Sequence, residues 1–314
     1  MKTLVMTILL LIATTALGGE MTDVKTAMEN ADALFKQYKY EEAQPAYEAL
    51  LSTAESAGDK SAQVEALSQI ARCHLLKNEK DECAAWLDKA KALATPDEPG
   101  GWSRYLGVRG RLEWKRDDLQ RAVQTFQEMF NYCKEHDLTS RAIDAVHMVA
   151  IVGTPEQQIE WGQKGIKLAE ETGTHGWLGP LWNNLAVTYS DQENWEKCVE
   201  AFRKSREYHW QYGQEIHKLY ADYHIGWSLR MKGDHEEALT WLRPVLSWGE
   251  RLGNEDVIGQ ASQDIGEIKI AAGDKATGVE LLRRARGCFE REGYADFAPE
   301  ILEKLDSRLA ELAE

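Results

Sequence analysis

Residues Leu181–Phe202 read LWNNLAVTYSDQENWEKCVEAF. Trp182, Leu185, Ala186 and Tyr189 fall on one stripe at helical spacing. Ser190, Asp191, Gln192, Glu193 and Asn194 break that stripe, and a second one follows in Trp195, Cys198, Val199 and Phe202. Two amphipathic runs joined by a short polar break describe a helical hairpin. Its small residues, Ala186 and Cys198, stand twelve positions apart. The same pair recurs along the chain as Ala31/Ala43, Ala71/Cys83, Gly110/Ala122, Val146/Gln158, Gly226/Ala238 and Gly266/Gly278. The second members are separated by 40, 39, 36, 40, 40 and 40 residues. Tyr47, Leu87, Phe126, Phe202, Leu242 and Leu282 add a bulky residue four positions later, with Gly162 the exception in the fourth copy. A period of this size is one supersecondary unit copied along the chain. Such an array offers a long surface for partners and requires no catalytic cleft.

Each copy carries the same punctuation. Glu41-Glu42, Asp81-Glu82, Asp117-Asp118, Glu196, Asp234 and Asp274 open the second helices, where exposed N–H groups favour negative charge. Thr154-Pro155 supplies an N-cap followed by a first-turn proline in the fourth copy. Gly58, Gly173, Gly213, Gly253 and Gly293 read as C-caps or hinges between copies. None of the 7 prolines is expected to interrupt the strongest helical stretches. The stripe Phe297, Ile301, Leu305 and Leu309 predicts a C-terminal helix that caps the last copy over 294–314.

This pattern resembles the tetratricopeptide repeat, a helix-turn-helix unit with small residues at its eighth and twentieth positions. The resemblance covers about residues 24–292, in copies at 24–57, 61–95, 102–136, 139–172, 179–213, 218–253 and 257–292. It implies an all-α superhelix, a solenoid of about seven hairpins with a C-terminal capping helix. Two departures stand out. The unit is near 40 residues instead of about 34, which predicts longer helices, and the family's closing proline is mostly missing, with only Pro96 near its place.

Composition narrows the function classes. The chain is 314 residues long, 43% hydrophobic and 28% charged, as expected of a soluble globular array read as one unit over 19–314. A net charge of −15 opposes binding to phosphate backbones, so nucleic acid is excluded as a partner. Lys2, the apolar run Leu4–Ala13 and the small residues through Gly19 predict a signal peptide over 1–18 and a periplasmic or secreted protein of a bacterial-type cell. That run is short for a membrane span, so no stable membrane insertion is expected after its removal, the alternative being an uncleaved anchor. Five cysteines leave at least one unpaired. Cys83 and Cys198 occupy the small-residue slot as buried apolar groups, and a Cys73–Cys83 disulfide stays open. No nucleophile elbow, phosphate loop, HExxH or Cys/His ligand spacing occurs, so neither an enzyme nor a metal or cofactor site is expected.

The resemblance further implies that the first helix of each pair lines the inner, concave surface. Residues on the face opposite the packing stripe point to that surface. They are Arg72, Arg104, Arg111, Trp114, Lys115, His147, Asn183, Asn184, Tyr220, Tyr223, His224, Trp227 and Arg230. Arginine forks pair with carboxylates, Tyr and Trp give rigid contact area, and Asn bonds an extended main chain. The set therefore predicts a groove for a peptide or protein, of acidic or C-terminal carboxylate character. Asp32, Asp264 and Glu267 share this face at the ends of the array and weaken its basic character. Trp86, Trp161, Trp195, Trp210, Trp241 and Trp248 are expected on second helices, as wedges or outer surface. A non-catalytic scaffold or adaptor is the leading reading. The alternatives are a self-associating structural protein and a small-ligand sensor lined by Trp114 and Trp227.

Overall fold

A computed structural model describes residues 23–313, and the expected signal peptide at 1–18 lies outside the described residues. The described residues form α-helices joined by short turns and contain no strand. The described residues divide into two compact units, with the boundary between Gln157 and Gln158.

The first unit contains α1 (23–36), α2 (Tyr40–Ala57), α3 (Lys60–Leu76), α4 (Lys80–Leu93), α5 (Pro99–Lys115), α6 (Leu119–Glu135) and α7 (Thr139–Val152). The boundary falls within the first turn of α8 (Pro155–Glu171). The second unit continues with a 3-10 turn at His175–Trp177, α9 (Leu178–Asp191), α10 (Trp195–Tyr212), α11 (Glu215–Lys232), α12 (His235–Leu252), α13 (Glu255–Ala271) and α14 (Lys275–Arg291). A short α15 (Tyr294–Phe297) and the terminal α16 (Pro299–Glu311) end the chain. Within each unit neighbouring helices pack in sequence, and first helices also touch one another, α3 against α5 and α11 against α13.

The small-residue slots make this packing close. Ala31, Ala43, Ala71, Cys83, Ala122, Ala186, Cys198 and Ala238 are wholly buried. At Gly226 even one methyl is too much, because an added Cβ would stand 2.7 Å from Leu242 Cγ and Cδ2. At Gly278 it would stand 2.8 Å from the Gly266 carbonyl, so two backbones touch there. Helices of 17 or 18 residues account for the longer repeat unit. The 36-residue spacing before the fourth copy also has a local cause. Helices α3, α5, α11 and α13 begin eleven residues before their slot, whereas α7 begins only seven before Val146. One helical turn is missing from its N-terminus, and the register is otherwise kept.

The turn inside each pair is a second repeating device. Tyr38, Asn78, Asp117, Glu193, Gly233 and Gly273 each stand seven residues after a slot, and all have φ between 55° and 96°. The residue after each donates its N–H to a carbonyl five positions back, as Glu79 does to His74 and Asn194 to Tyr189. This bond ends the helix and reverses the chain. Gly153, the matching residue of the fourth copy, is extended instead at φ −73°. Between copies Gly58, Gly173, Gly253 and Gly293 are left-handed, as a C-cap requires. Gly213 differs from that expectation: it follows α10 with φ −85° and ψ 159°.

Two helices run through an interior proline without a break, one expectation is corrected at Phe297, and the cysteine pairing that the sequence left open is absent among the described residues. Pro45 and Pro244 lie inside α2 and α12. Both are exposed, so the carbonyls they leave unbonded lie on the solvent side. The terminal cap is α16, which lays Ile301, Leu305 and Leu309 on Leu282, Ala285 and Phe289 of α14. Phe297 does not share that stripe; Ala298 interrupts the helix and leaves the ring 67% exposed. All five cysteines are free, buried thiols, including Cys73 and Cys83. Burial pushes them up to about 11 or 12, which keeps them protonated and unreactive.

Two stability measurements test this account. Gly226→Ala is expected to lower the unfolding free energy by about 1–3 kcal/mol through overpacking, while Gly176→Ala, with open space around it, leaves it unchanged. Glu193→Gly is expected to raise it by about 0.5–1 kcal/mol by relieving a left-handed conformation. A neutral Gly226→Ala in chemical denaturation would show that the slot tolerates a methyl.

Candidate binding face of the first helices

The thirteen residues read from the sequence fall into two sets, one in each unit. In the first unit Arg72 lies on α3, Arg104, Arg111, Trp114 and Lys115 on α5, and His147 on α7. They do not form an open row of cations. Arg104 bridges two carboxylates, with Nη2 3.3 Å from Asp32 Oδ2 and Nε 3.4 Å from Glu65 Oε2. Arg141 binds the same Glu65 oxygen and reaches Ser103 Oγ at 2.6 Å and the Gly100 carbonyl. Arg111 Nη2 sits 2.7 Å from Asp144 Oδ1, and its Nη1 donates to Gly107 O at 2.9 Å. Tyr47 donates to Asp32 at 2.6 Å and accepts from Gln69 at 2.8 Å. Ion pairs and hydrogen bonds thus lace α1, α3, α5 and α7 together through their side chains.

The electrostatics follow from crowding. Burial raises the Asp144 carboxyl, yet Arg111 and Arg72 outweigh it and hold the group at about 2. Burial lowers Arg104, but Glu65 and Asp32 more than compensate. Arg72 is compensated only in part, by the Asp144 charge and by Tyr47. Burial pulls it down to about 9, and the Arg111 charge adds to the effect. Its guanidinium lies 4.8 Å over the Phe35 ring, and it makes no ion pair among the described residues. The inner face of this unit therefore carries Arg72, Arg104, Arg111 and Arg141 against Asp32, Glu65 and Asp144. His147, lowered to about 4 by burial, adds no charge at neutral pH.

A cavity of about 370 Å³ opens beside the unpaired arginine. Arg72, Leu75, Leu76 and Asn78 line it from α3 and the following turn, and Arg111, Trp114 and Lys115 from α5. Lys115 is exposed, with Nζ 5.1 Å from the centre of the Trp114 ring. Four of the thirteen residues meet here.

The second unit's set is more enclosed than the sequence suggested. Tyr223 is buried, and burial together with Asp264 raises its hydroxyl well above the usual range. His224 stacks on Phe202 at 4.9 Å and is held at about 4, chiefly by burial. Trp227 packs edge-on against Trp195 and Phe202. Arg230 Nε is 2.6 Å from Asp264 Oδ1, and Tyr220 donates to Asp256 at 2.5 Å. Asn183 and Asn184 are half-buried, and the Asn184 side-chain nitrogen has no hydrogen-bond partner. Asp32, Asp264 and Glu267 thus do not dilute a basic face. Asp32 and Asp264 are the partners of Arg104 and Arg230, and Glu267 is that of Arg308. Glu65, Arg141, Asp144 and Asp256 were missed; Asp144 stands one turn before His147, while the other three lie six to eight positions from a named residue on their own helices. Among the tryptophans expected on second helices, Trp161 is buried, whereas Trp210 is 42% exposed and stands 6.0 Å from Trp248.

Half-buried histidines held neutral are expected to make the protein acid-sensitive. His147, His209 and His224 are each held near 4, first of all by burial. Between pH 6.5 and 4 the unfolded chain takes up protons that the folded one refuses, so stability falls across that window as pH falls. The thermal midpoint is expected to drop there, and His209→Gln/His224→Gln to flatten the drop. A midpoint independent of pH over that range would contradict it.

No protein-family model matches the chain, and no curated protein matches it. Solved structures do. A signal-transduction ATPase with numerous domains and a tetratricopeptide repeat sensor, from Pyrococcus horikoshii, superposes with a TM-score of 0.71 at 16% identity, over 90% of this chain. The match spans only 44% of that ATPase. The apo form of RapI gives 0.58 at 13% identity, over 86% of this chain and 99% of that one. A tetratricopeptide repeat protein from Parabacteroides merdae gives 0.53 at 11% identity, over 93% and 99%. At such identities the likeness is one of fold, and it agrees with the slots, turns and paired helices described above: the chain is a helical repeat of the tetratricopeptide type.

Proposed function

We propose that the protein is an exported, non-catalytic scaffold or adaptor that holds a peptide or protein segment of acidic or C-terminal carboxylate character on the inner face of its first helices. The observation that carries this reading is the cavity lined by Arg72, Arg111 and Lys115, of which only Arg111 is paired to a carboxylate, Asp144. A cationic pocket in a chain of net charge −15 is an attachment point for negative charge. The helical-repeat fold supports the same reading, since arrays of this kind present long surfaces to partners. Export is supported by the basic start, apolar run and small residues of the first nineteen positions. No helix among the described residues is long and apolar enough to cross a membrane.

A second reading, self-association, is favoured by the exposed Trp210 beside Trp248. Such a ridge suits an interface between copies.

The mature protein, tagged and mixed with the native envelope fraction, is expected to retain a defined partner protein and to scatter light as a monomer. Assembly into large particles with nothing else retained would replace the scaffold reading with self-association. Arg104→Glu and Arg111→Glu are unsuitable controls, because they would break the ion pairs that join the first helices. Lys115→Glu changes only an exposed charge and is expected to weaken capture.

A further inference from the structure

We infer that the cavity between α6 and the turn from α7 to α8 is a seat for an uncharged sugar ring that carries an acetamido group. The inference goes beyond the scaffold reading. The cavity lies wholly within the first unit and shares no lining residue with the one beside Arg72.

The neutrality of the lining is the first support. The cavity holds about 480 Å³, and none of the nine residues that line it is charged, in a chain that is 28% charged. The neighbouring cavity between α4, α5 and α6 is lined instead by Arg109, Arg116 and Arg121 against Glu113 and Asp118. Amides supply the hydrogen-bonding capacity. Gln120, Gln124 and Gln127 fall on one stripe of α6, and none of the three side chains is bonded to another described residue. Each offers a carbonyl acceptor and two N–H donors, so this wall suits a ligand that both donates and accepts and brings no net charge. On the other wall the Gln157 carbonyl accepts the Thr154 N–H at 3.0 Å, which leaves the Gln157 amide nitrogen for the cavity.

The irregular turn of the fourth copy is the second support. Gly153 is extended where its counterparts in the other copies are left-handed. An added Cβ there would stand 2.8 Å from the Val149 carbonyl oxygen and from Gln157 Cβ, so the position admits no side chain. The cavity opens between this turn and α6, lined by the buried Val123 and Val152 and by Leu119, which is 43% exposed. Apolar groups and neutral amides thus share one bounded space. A sugar ring matches both, with its C–H face on the valines and its hydroxyls on the amides. An acetamido group pairs its own N–H and carbonyl with one glutamine amide and turns its methyl to Leu119. A carboxylate or an ammonium would give up its hydration here and meet no opposite charge. A polypeptide main chain has the same amide chemistry, but it runs on past a space of this size.

Methyl N-acetyl-β-D-glucosaminide is the probe, compared with methyl β-D-glucoside, D-glucosamine and N-acetylglycine N-methylamide. Binding is read from the methyl resonances of Leu119 and Val123 in protein labelled at leucine and valine methyl groups, the first assigned with Leu119→Met. The acetamido sugar is expected to move both saturably in the millimolar range. The other three compounds should each need about fivefold higher concentration or more, the effect of one lost hydrogen bond. Gln120→Met and Gln124→Met, both at exposed positions, are each expected to weaken the acetamido sugar about fivefold while circular dichroism stays unchanged. Leu119→Ser should weaken it about threefold, read at Val123, and leave the glucoside as it was. Equal binding of the glucoside would overturn the acetamido assignment, and equal binding of glucosamine the argument from neutrality. Equal binding of the N-methylamide would give the cavity to a polypeptide main chain and overturn the sugar. No response to any of the four would overturn the cavity as a site. None of these outcomes bears on whether a partner protein is captured from the envelope fraction, so the scaffold reading stands or falls separately.

Discussion

The fold depends on how closely two antiparallel helices approach at the slot. Gly226 faces Leu242 and Trp241 there, and the space left over is smaller than a methyl group. Interiors are packed to crystal-like density, so this distance is fixed within narrow limits. Once it is fixed, the following residues must turn back at once. The left-handed residue seven positions on and its backbone hydrogen bond accomplish that. Glycine is used for the turn only at Gly233 and Gly273; Tyr38, Asn78, Asp117 and Glu193 accept the same strain. Packing at the slot therefore dictates the turn, even where the local sequence opposes it.

This order of causes explains which features were legible in the sequence. The slot has a narrow set of acceptable residues and a fixed period, so Ala31 through Gly278 identified the repeat without any other information. The short α7 was visible only as a 36-residue gap, because a helix that starts one turn late leaves no mark of its own. Pro45 and Pro244 leave their helices uninterrupted, as expected from the sequence. A proline on the exposed side of a long helix loses one hydrogen bond and keeps the packing that holds the helix in place. Phe297 fitted the apolar spacing of the terminal helix, but Ala298 changes the chain direction before that spacing can act.

The candidate face was legible in its residues and not in their pairing. Helical periodicity placed Arg104, Arg111 and Arg230 on one face of the first helices, and in the structure each is held by a carboxylate of another first helix. Their partners lie 72, 33 and 34 positions away in sequence. The longest of these steps, and the 76 positions between Arg141 and Glu65, skip a whole copy. A reading of one copy at a time cannot see such pairs. It sees an arginine and counts it as available. Asp32 and Asp264 were discounted for the same reason, although each completes an arginine next to it in space.

The close slots and the inner charges are linked. Helices drawn together by alanine and glycine bring their inner side chains into one crowded layer, where a charge has few routes to water. Balance must then be local. Paired charges in such a layer add little net stability, yet removal of one member leaves the other stranded and is costly. Three of the four arginines in the first unit obey this rule. Arg72 does not, and the Phe35 ring supports only its flat face. An unbalanced cation is inexpensive at an exposed position and expensive in a crowded one, so its persistence beside an open cavity separates Arg72 from its neighbours. Arg104, Arg111 and Arg141 hold the first helices to one another, whereas Arg72 lies against the Phe35 ring and makes no ion pair among the described residues.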